Sequence, residues 1–306
     1  MASVPAHLAA LFVRAHIRRR LGGMESVARI RAILGGGAML PAPVGVRFRP
    51  DRLGGMPGEW VEGRDPAHTA LLYLHGGGFV ACSPRTHRPL TGWFARHGFR
   101  VFAPEYRLAP EYPFPAAVED SVAAWRGLVE QDGMTDPRHS SARAAIAGDS
   151  AGGTLALAAM LLLRDAGSAL PCAAALFSPA TDLAGTGASL RENARRDAMF
   201  RPEGLRHLAA AYLGGADPRA PLASPLYGDL AGLPPLLLHA GEREMLRDDS
   251  VRLAERARAA EVAVELQLWP VVPHAWQFAH AFVPEARRSL HMAAAFLHRA
   301  AAGERD

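Results

Sequence analysis

The chain contains no lysine; all 34 of its basic residues are arginine. That absence excludes Schiff-base chemistry at a lysine, with it pyridoxal-phosphate catalysis, a P-loop G-K-[ST] and the Ser-x-x-Lys dyad of penicillin-binding enzymes. Cysteine is scarce. Cys82 and Cys172 stand far apart in the chain, which excludes a disulfide framework, a Cys-rich zinc site and a C-x-x-C redox pair and fits two reduced thiols in the cytoplasm. No apolar run approaches the ~18 residues of a membrane span, so no integral membrane association is expected. An excess of charge is missing too. The 34 basic and 30 acidic residues leave +4, a weak signal for nucleic acid, and no nucleic-acid partner is expected.

What is present is apolar material. Hydrophobic residues make up 49% of 306, enough for a large buried core and incompatible with disorder. The N-terminus has Leu8, Leu11, Phe12 and Ile17 at helical spacing, with Arg18, Arg19 and Arg20 after them. A secretory signal carries its positive charge before the apolar stretch, so this order predicts an amphipathic helix packed on the rest of the protein. A membrane-surface role is the minor alternative.

Further on, short apolar runs alternate with helical patterns. Val44–Phe48 and Glu59–Glu62 read as two antiparallel strands. Strands are expected at Thr69–Leu74, Arg100–Ala103, Ala144–Ala147, Ala173–Phe177, Leu236–His239 and Val262–Trp269. Helices are expected at Arg85–His97, Pro115–Gln131, Ala151–Arg164, Asp248–Ala260 and Glu285–Ala301. This rhythm predicts a mostly parallel sheet covered by helices on both faces. It breaks between residues 184 and 214, where a charged, helical stretch looks like an insertion. We expect residues 1–45 and 184–220 to form a helical cap over a core made of 46–183 and 221–306.

Two motifs carry chemistry. Gly148-Asp149-Ser150-Ala151-Gly152 is a G-x-S-x-G sequence between an expected strand and an expected helix. That context suits a sharp turn projecting a serine hydroxyl at the sheet edge, with a helix N-terminus behind it. His75-Gly76-Gly77-Gly78-Phe79 follows an earlier buried strand. Consecutive glycines let backbone N–H groups approach a developing oxyanion, and Gly76, Gly77 and Ala151 are the expected donors.

In this order, the two motifs resemble those of the bacterial hormone-sensitive-lipase-like carboxylesterases of the α/β-hydrolase fold. Tyr106-Arg107-Leu108-Ala109-Pro110-Glu111, continued by Tyr112-Pro113-Phe114-Pro115-Ala116-Ala117, is similar to that family's Y-R-L-A-P-E-x-x-F-P-A-A signature. Ser178-Pro179-Ala180-Thr181-Asp182-Leu183, Ser224-Pro225-Leu226 and Leu233-Pro234-Pro235 match later landmarks. The likeness runs from about Leu71 to His274 and beyond, while the first 40 residues match only in helical character. G-D-S-A-G places the chain in the branch with an acidic residue before the nucleophile.

The resemblance implies a serine nucleophile, Ser150, served by a histidine and an acid in the order Ser, acid, His. After Ser150 come His207, His239, His274, His280, His291 and His298. His291 and His298 fall on the last expected helix, His207 in the cap and His239 in a strand, whereas His274 lies in the loop after the strand Val262–Trp269 and holds the position of the family's catalytic histidine. The family's usual D-P-L-R-D-E is replaced by Gly241-Glu242-Arg243-Glu244-Met245-Leu246-Arg247-Asp248-Asp249. Aligning Leu246-Arg247-Asp248 puts Glu244 at the acid position, with Glu242 and then Asp248 as rivals. Asp248 and Asp249 are otherwise expected to favour the N-terminus of the next helix.

Other residues read mostly as structural. Asp149 is expected to bond the elbow, and Arg107 and Glu111 to share a buried polar network. Phe79, Phe200 and Trp276 are candidates for lining a substrate pocket, and Cys82 for narrowing it. The reading is a metal- and cofactor-free serine esterase of short- to medium-chain acyl esters, active on small molecules, with a homodimer left open. A lactone hydrolase or amidase with the same residues is the alternative, and a non-catalytic binder on the same fold the remote one.

Overall fold

The computed structural model describes residues 2–21, 26–36, 43–65, 69–131 and 144–304. Helix α1 (Val4–Phe12) runs directly into a π-helical segment, Val13–Arg18, and the short α2 (Arg19–Leu21). Ser3 starts α1 by accepting the Ala6 N–H at 3.2 Å, and Pro5 sits in the first turn, where its missing N–H leaves no bond unmade. Helix α3 (Val27–Gly36) follows.

The N-terminal helix forms as expected but packs differently. Ala6 is its one buried residue in α1, and Leu8, Leu11 and Phe12 are about 60%, 61% and 59% exposed. They are exposed because α1 leans over a cavity instead of lying on the sheet.

Strands β1 (Arg47–Leu53) and β2 (Met56–Glu62) pair as an antiparallel hairpin, both longer than the pattern indicated, with β1 shifted later and β2 starting earlier. The alternation then runs β3 (Thr69–Leu74), α4 (Arg88–Ala95), β4 (Phe99–Pro104), α5 (Ala116–Gln131), β5 (Ala144–Asp149), α6 (Ala151–Asp165) and β6 (Ala174–Phe177). The expected helix 85–97 opens as a 3₁₀ turn, Pro84–His87, because Ser83 and Thr86 form a reciprocal capping box there. The stretch expected to be an insertion holds α7 (Ser189–Glu192) and α8 (Pro202–Leu213). After it come β7 (Leu236–Gly241), α9 (Arg247–Ala259), β8 (Val264–Trp269) and α10 (Pro284–Ala301).

Among the described residues the strands form one eight-stranded sheet in the order β1-β2-β4-β3-β5-β6-β7-β8. Pairs from β4 through β8 are parallel, and β2 meets both of its neighbours antiparallel. Side chains alternate between two cores, as the strand period requires. Leu72, Leu74, Ile146 and Leu238 join Trp125, Leu155 and Leu253 on one face. Leu71, Tyr73, Ala145 and Leu237 join Phe94, Leu290 and Leu297 on the other. Parallel strands present all their C-terminal ends at one edge. That edge is where β3, β5, β7 and β8 deliver the residues of interest.

Candidate active site

Ser150 stands between β5 and α6 with φ 52° and ψ −122°, a strained conformation for a residue with a side chain. Its N–H donates to the Phe177 carbonyl of β6 at 2.8 Å, which pins the turn to the sheet. The turn closes because Gly152 has no side chain. A Cβ there would lie 2.0 Å from the Leu74 carbonyl oxygen of β3. The hydroxyl therefore sits at the start of α6, where the helix dipole favours negative charge.

His274 lies in the loop after β8 and is buried. Its Nδ1 is 2.7 Å from Glu244 Oε2. A carboxylate only accepts, so Nδ1 carries the proton and Nε2 is the free base. That Nε2 is buried and has no hydrogen-bond partner among the described residues. Burial pushes the imidazole pKa down, but the Glu244 charge and its hydrogen bond outweigh burial and hold it above the ordinary histidine value. The Phe200 and His274 rings meet edge to face with their centroids 4.9 Å apart.

Glu244 is 2% exposed and fully engaged. Its Oε1 accepts the Ser178 hydroxyl at 2.8 Å and the Gly241 N–H at 2.6 Å, and its Oε2 faces His274. The rivals lie elsewhere. Glu242 is exposed. Asp248 reaches out of its own helix to accept the Ser189 N–H of α7 at 2.8 Å. Asp249 is buried and accepts the Asp182 N–H at 2.9 Å. Asp248 therefore ties α9 to α7, and Asp249 ties it to the segment after β6, tertiary roles beyond those expected at a helix start.

The oxyanion loop departs from expectation at one residue. The Gly76 N–H is turned inward, 3.1 Å from His87 Nε2 and 3.2 Å from Asp149 Oδ1, so it has no capacity left for a ligand. A Cβ on Gly76 would lie 2.2 Å from Asp149 Oδ2. Gly77 and Gly78 instead line the cavity beside Ser150, and Gly76 does not. Among the described residues the Gly77 and Gly78 N–H groups have no acceptor. Ala151 opens α6, so its N–H has no intrahelical acceptor either.

Asp149 does more than bond the elbow. Its Oδ1 also accepts the Tyr73 hydroxyl at 2.9 Å. Burial opposes its ionisation, but His87 and the Tyr73 bond prevail and hold the carboxyl below its ordinary value. Beside it, Tyr106 donates to the His75 carbonyl at 2.6 Å and stacks on the His75 ring at 4.1 Å. Burial lowers the His75 pKa to about 3, so that imidazole is neutral.

The cavity enclosing Ser150 and His274 has a volume of about 860 Å³. Phe200 and Trp276 line it; Phe79 does not. Phe79 stacks on Tyr212 at 3.7 Å in the core, since its positive φ of 64° turns the side chain away. Cys82 does line the cavity, and burial pushes its thiol up to about 12, so it packs as a neutral group. Arg107 and Glu111 form two separate pairs, not one buried network. Arg107 holds the buried Asp120 at 2.8 Å, and Glu111 pairs with Arg31 of α3 at the surface.

Several contributing residues carry no isolated signal in the sequence. Asn193 donates to the Glu242 and Glu244 carbonyls, both at 2.9 Å, and Asp197 Oδ2 accepts the Met245 N–H at 2.8 Å. The insertion thus clamps the loop that carries Glu244. Arg14 and Arg18 bond the carbonyls of Arg195, Ala194 and Phe200, joining the N-terminal helices to the insertion. Ser178 lay within a recognised segment, yet only the fold brings its hydroxyl to Glu244. Among the described residues no cluster of three or more His, Cys, Asp or Glu is arranged to hold a metal ion. None of their helices is long and apolar enough to cross a membrane.

A serine on a strand–helix elbow, a carboxylate-held histidine and a glycine loop thus meet at one sheet edge as a candidate site. The chain matches the alpha/beta hydrolase fold family over residues 71–278 and belongs to it. An acetyl-hydrolase of Streptomyces hygroscopicus is 47% identical over 247 residues, 80% of each chain. An esterase of Acinetobacter venetianus is 36% identical over 257 residues, 82% of each. Among solved structures, an esterase from the bacterial hormone-sensitive lipase family superposes with a TM-score of 0.88 at 40% identity, covering 98% of this chain and 100% of that one. A hormone-sensitive lipase from a metagenome library gives 0.90 at 36% identity, covering 98% and 99%. The protein is a carboxylic ester hydrolase of hormone-sensitive-lipase type.

Proposed function

We propose that this enzyme is a serine esterase of short- to medium-chain acyl esters, working through an acyl-enzyme on Ser150. His274 Nε2 takes the hydroxyl proton as Ser150 Oγ bonds to the ester carbonyl carbon. The carbonyl oxygen, now negative, is met by the N–H groups of Gly77, Gly78 and Ala151; Gly76 is replaced by Gly78 in this role. The alcohol leaves with the proton from His274. Water then attacks the acyl-enzyme carbonyl, giving a proton to His274; the acyl–Oγ bond breaks, His274 returns the proton to Ser150 Oγ, and the carboxylic acid leaves. Glu244 keeps the imidazole in the Nδ1–H tautomer and stabilises it when charged.

The observation that carries this reading is His274, tied to Glu244 through Nδ1 and unpartnered at Nε2, on the cavity that Ser150 also lines. Residues 1–45 and 184–220 act as the cap, since Leu8, Phe12, Ile33, Phe200 and Leu208 supply apolar cavity wall from both pieces. An acyl chain gains about 0.8 kcal/mol per methylene it buries against such a wall. The free thiols Cys82 and Cys172 support action in a reducing compartment, the cytoplasm.

The test is a p-nitrophenyl ester series from acetate to laurate with wild type and Ser150→Ala. Activity should peak at short to medium chains. Ser150→Ala should lose about 10³-fold or more while remaining folded, and a phosphonate should label Ser150 alone. Labelling at another serine, with Ser150 untouched, would overturn the assignment.

A further inference from the structure

The cap carries two features that hydrolysis of a dissolved ester does not use. The first is an apolar rim. Val4, Leu8, Leu11 and Phe12 recur at one-turn spacing on a single face of α1, and they are 71%, 60%, 61% and 59% exposed. Phe282 stands 68% exposed, and with Leu8 and Phe12 it lines the same cavity. The rim therefore borders the cavity through Leu8, Phe12 and Phe282, while Val4 and Leu11 continue it outward along α1.

The second feature is charge. Residues 1–45 contain six arginines and one glutamate, and residues 184–220 six arginines and four acidic residues. The two cap pieces together carry +7, whereas the rest of the chain carries −3. The net charge of +4 is thus unevenly distributed between the cap segments and the rest of the chain. Arg14 and Arg18 also hold the helical arm to the insertion through backbone carbonyls, so the arm is fixed in place without burying its apolar face.

We propose that this face docks on an anionic lipid surface, with the apolar rim entering the interface and the arginines meeting the headgroups. Apolar burial and headgroup attraction are the two terms that bind an amphipathic basic helix to such a surface. A second copy of the chain fits the face poorly, because it would set +7 against +7. A nucleic acid would satisfy the arginines and leave the rim in water. The proposal rests on the reading of the cavity as the ester site and adds where its substrates come from. Esters partitioned into the lipid reach the mouth without crossing water.

The experiment sediments full-length Ser150→Ala protein with vesicles, which removes hydrolysis from the readout. Phosphatidylglycerol vesicles should bind it at low salt, phosphatidylcholine vesicles should not, and 0.5 M NaCl should weaken binding. Arg19→Gln should weaken it about 5-fold. Val4→Ser with Leu11→Ser should abolish it. These three positions lie off the cavity, so in the Ser150 background they should leave p-nitrophenyl acetate hydrolysis unchanged. If the double variant misfolds by circular dichroism, Leu11→Ser alone carries the same expectation with a smaller loss. Equal binding to both lipids, or to neither, would overturn the proposal. So would a dimer by light scattering that Leu11→Ser dissociates. An error in the esterase reading would appear in the hydrolysis assay and leave sedimentation unaffected.

Discussion

Replacing Glu244 by glutamine tests the chemistry at its most constrained point. The side chain keeps its shape and loses its charge. In the native protein Oε1 accepts a backbone N–H, that of Gly241, at 2.6 Å. That donor cannot change character, so the glutamine oxygen must stay there. The amide NH₂ is then forced against His274 Nδ1, which must become an acceptor. The imidazole proton moves to Nε2, the atom that should receive the Ser150 proton. The variant thus holds the wrong tautomer and has no charge to stabilise the imidazolium. The equivalent change in the serine-protease triad costs about 10⁴-fold, and we expect a loss of roughly 10²–10⁴ in kcat, about 3–5 kcal/mol of barrier.

The pH profile adds a second readout. Glu244 outweighs burial and raises the His274 pKa. The activity limb that follows His274 deprotonation should lie above the ordinary value of about 6.5 and shift down in residual Glu244→Gln activity. The sign for stability is the reverse. This pair's contribution is fully present below about pH 6.5 and is lost as pH rises through the raised native value. The assay is p-nitrophenyl butyrate hydrolysis from pH 5 to 10, with folding checked by circular dichroism. Normal turnover by Glu244→Gln, together with an inactive Glu242→Gln or Asp248→Asn, would refute the reasoning.

Gly78→Ala should lower kcat about 10- to 100-fold with little change in KM. Its φ is 61° and its Cβ would lie 2.9 Å from Leu208 Cδ1 and Cδ2, so the loop must shift an oxyanion donor; an unchanged kcat in the folded variant would count against that donor. Exhaustive chelation should leave activity intact, because backbone N–H groups supply the charge stabilisation; loss with EDTA and recovery with zinc would contradict this. Removing residues 1–35 should change the acyl-chain profile, since Leu8, Phe12, Ile33 and Leu34 form cavity wall; an unchanged profile would show that the arm does not select chain length. Burial and neighbouring Asp182 raise the Asp249 pKa to about 8. Its contribution to stability is therefore full below about pH 3.9 and is lost as pH rises through about 8. Asp249→Asn should flatten that decline in urea melts at pH 5 and 8.5, and parallel curves for the two proteins would disprove it.

The sequence alone determined the alternation of β3 through β8 with their helices, and the strand–elbow–helix at Ser150. These are local matters. Strand period, helix period and the glycines of a tight turn are written in residues a few positions apart. Which groups are free to act was decided only by the tertiary structure. Gly76, Gly77 and Gly78 are equivalent on paper, yet Asp149, 73 positions away, takes the Gly76 N–H and leaves the other two. Glu242, Glu244 and Asp248 stand within a few positions of one another, and the fold sets only Glu244 against His274 and Ser178. Phe79 and Phe200 are both apolar rings near motifs, and one stacks in the core while the other meets the imidazole. The contact between the N-terminal helices and residues 194–200 also depends on assembly, because Arg14 and Arg18 reach carbonyls about 180 positions away. Hydrogen-bond capacity, burial and the summed field belong to groups brought together from distant positions, and no local pattern encodes them.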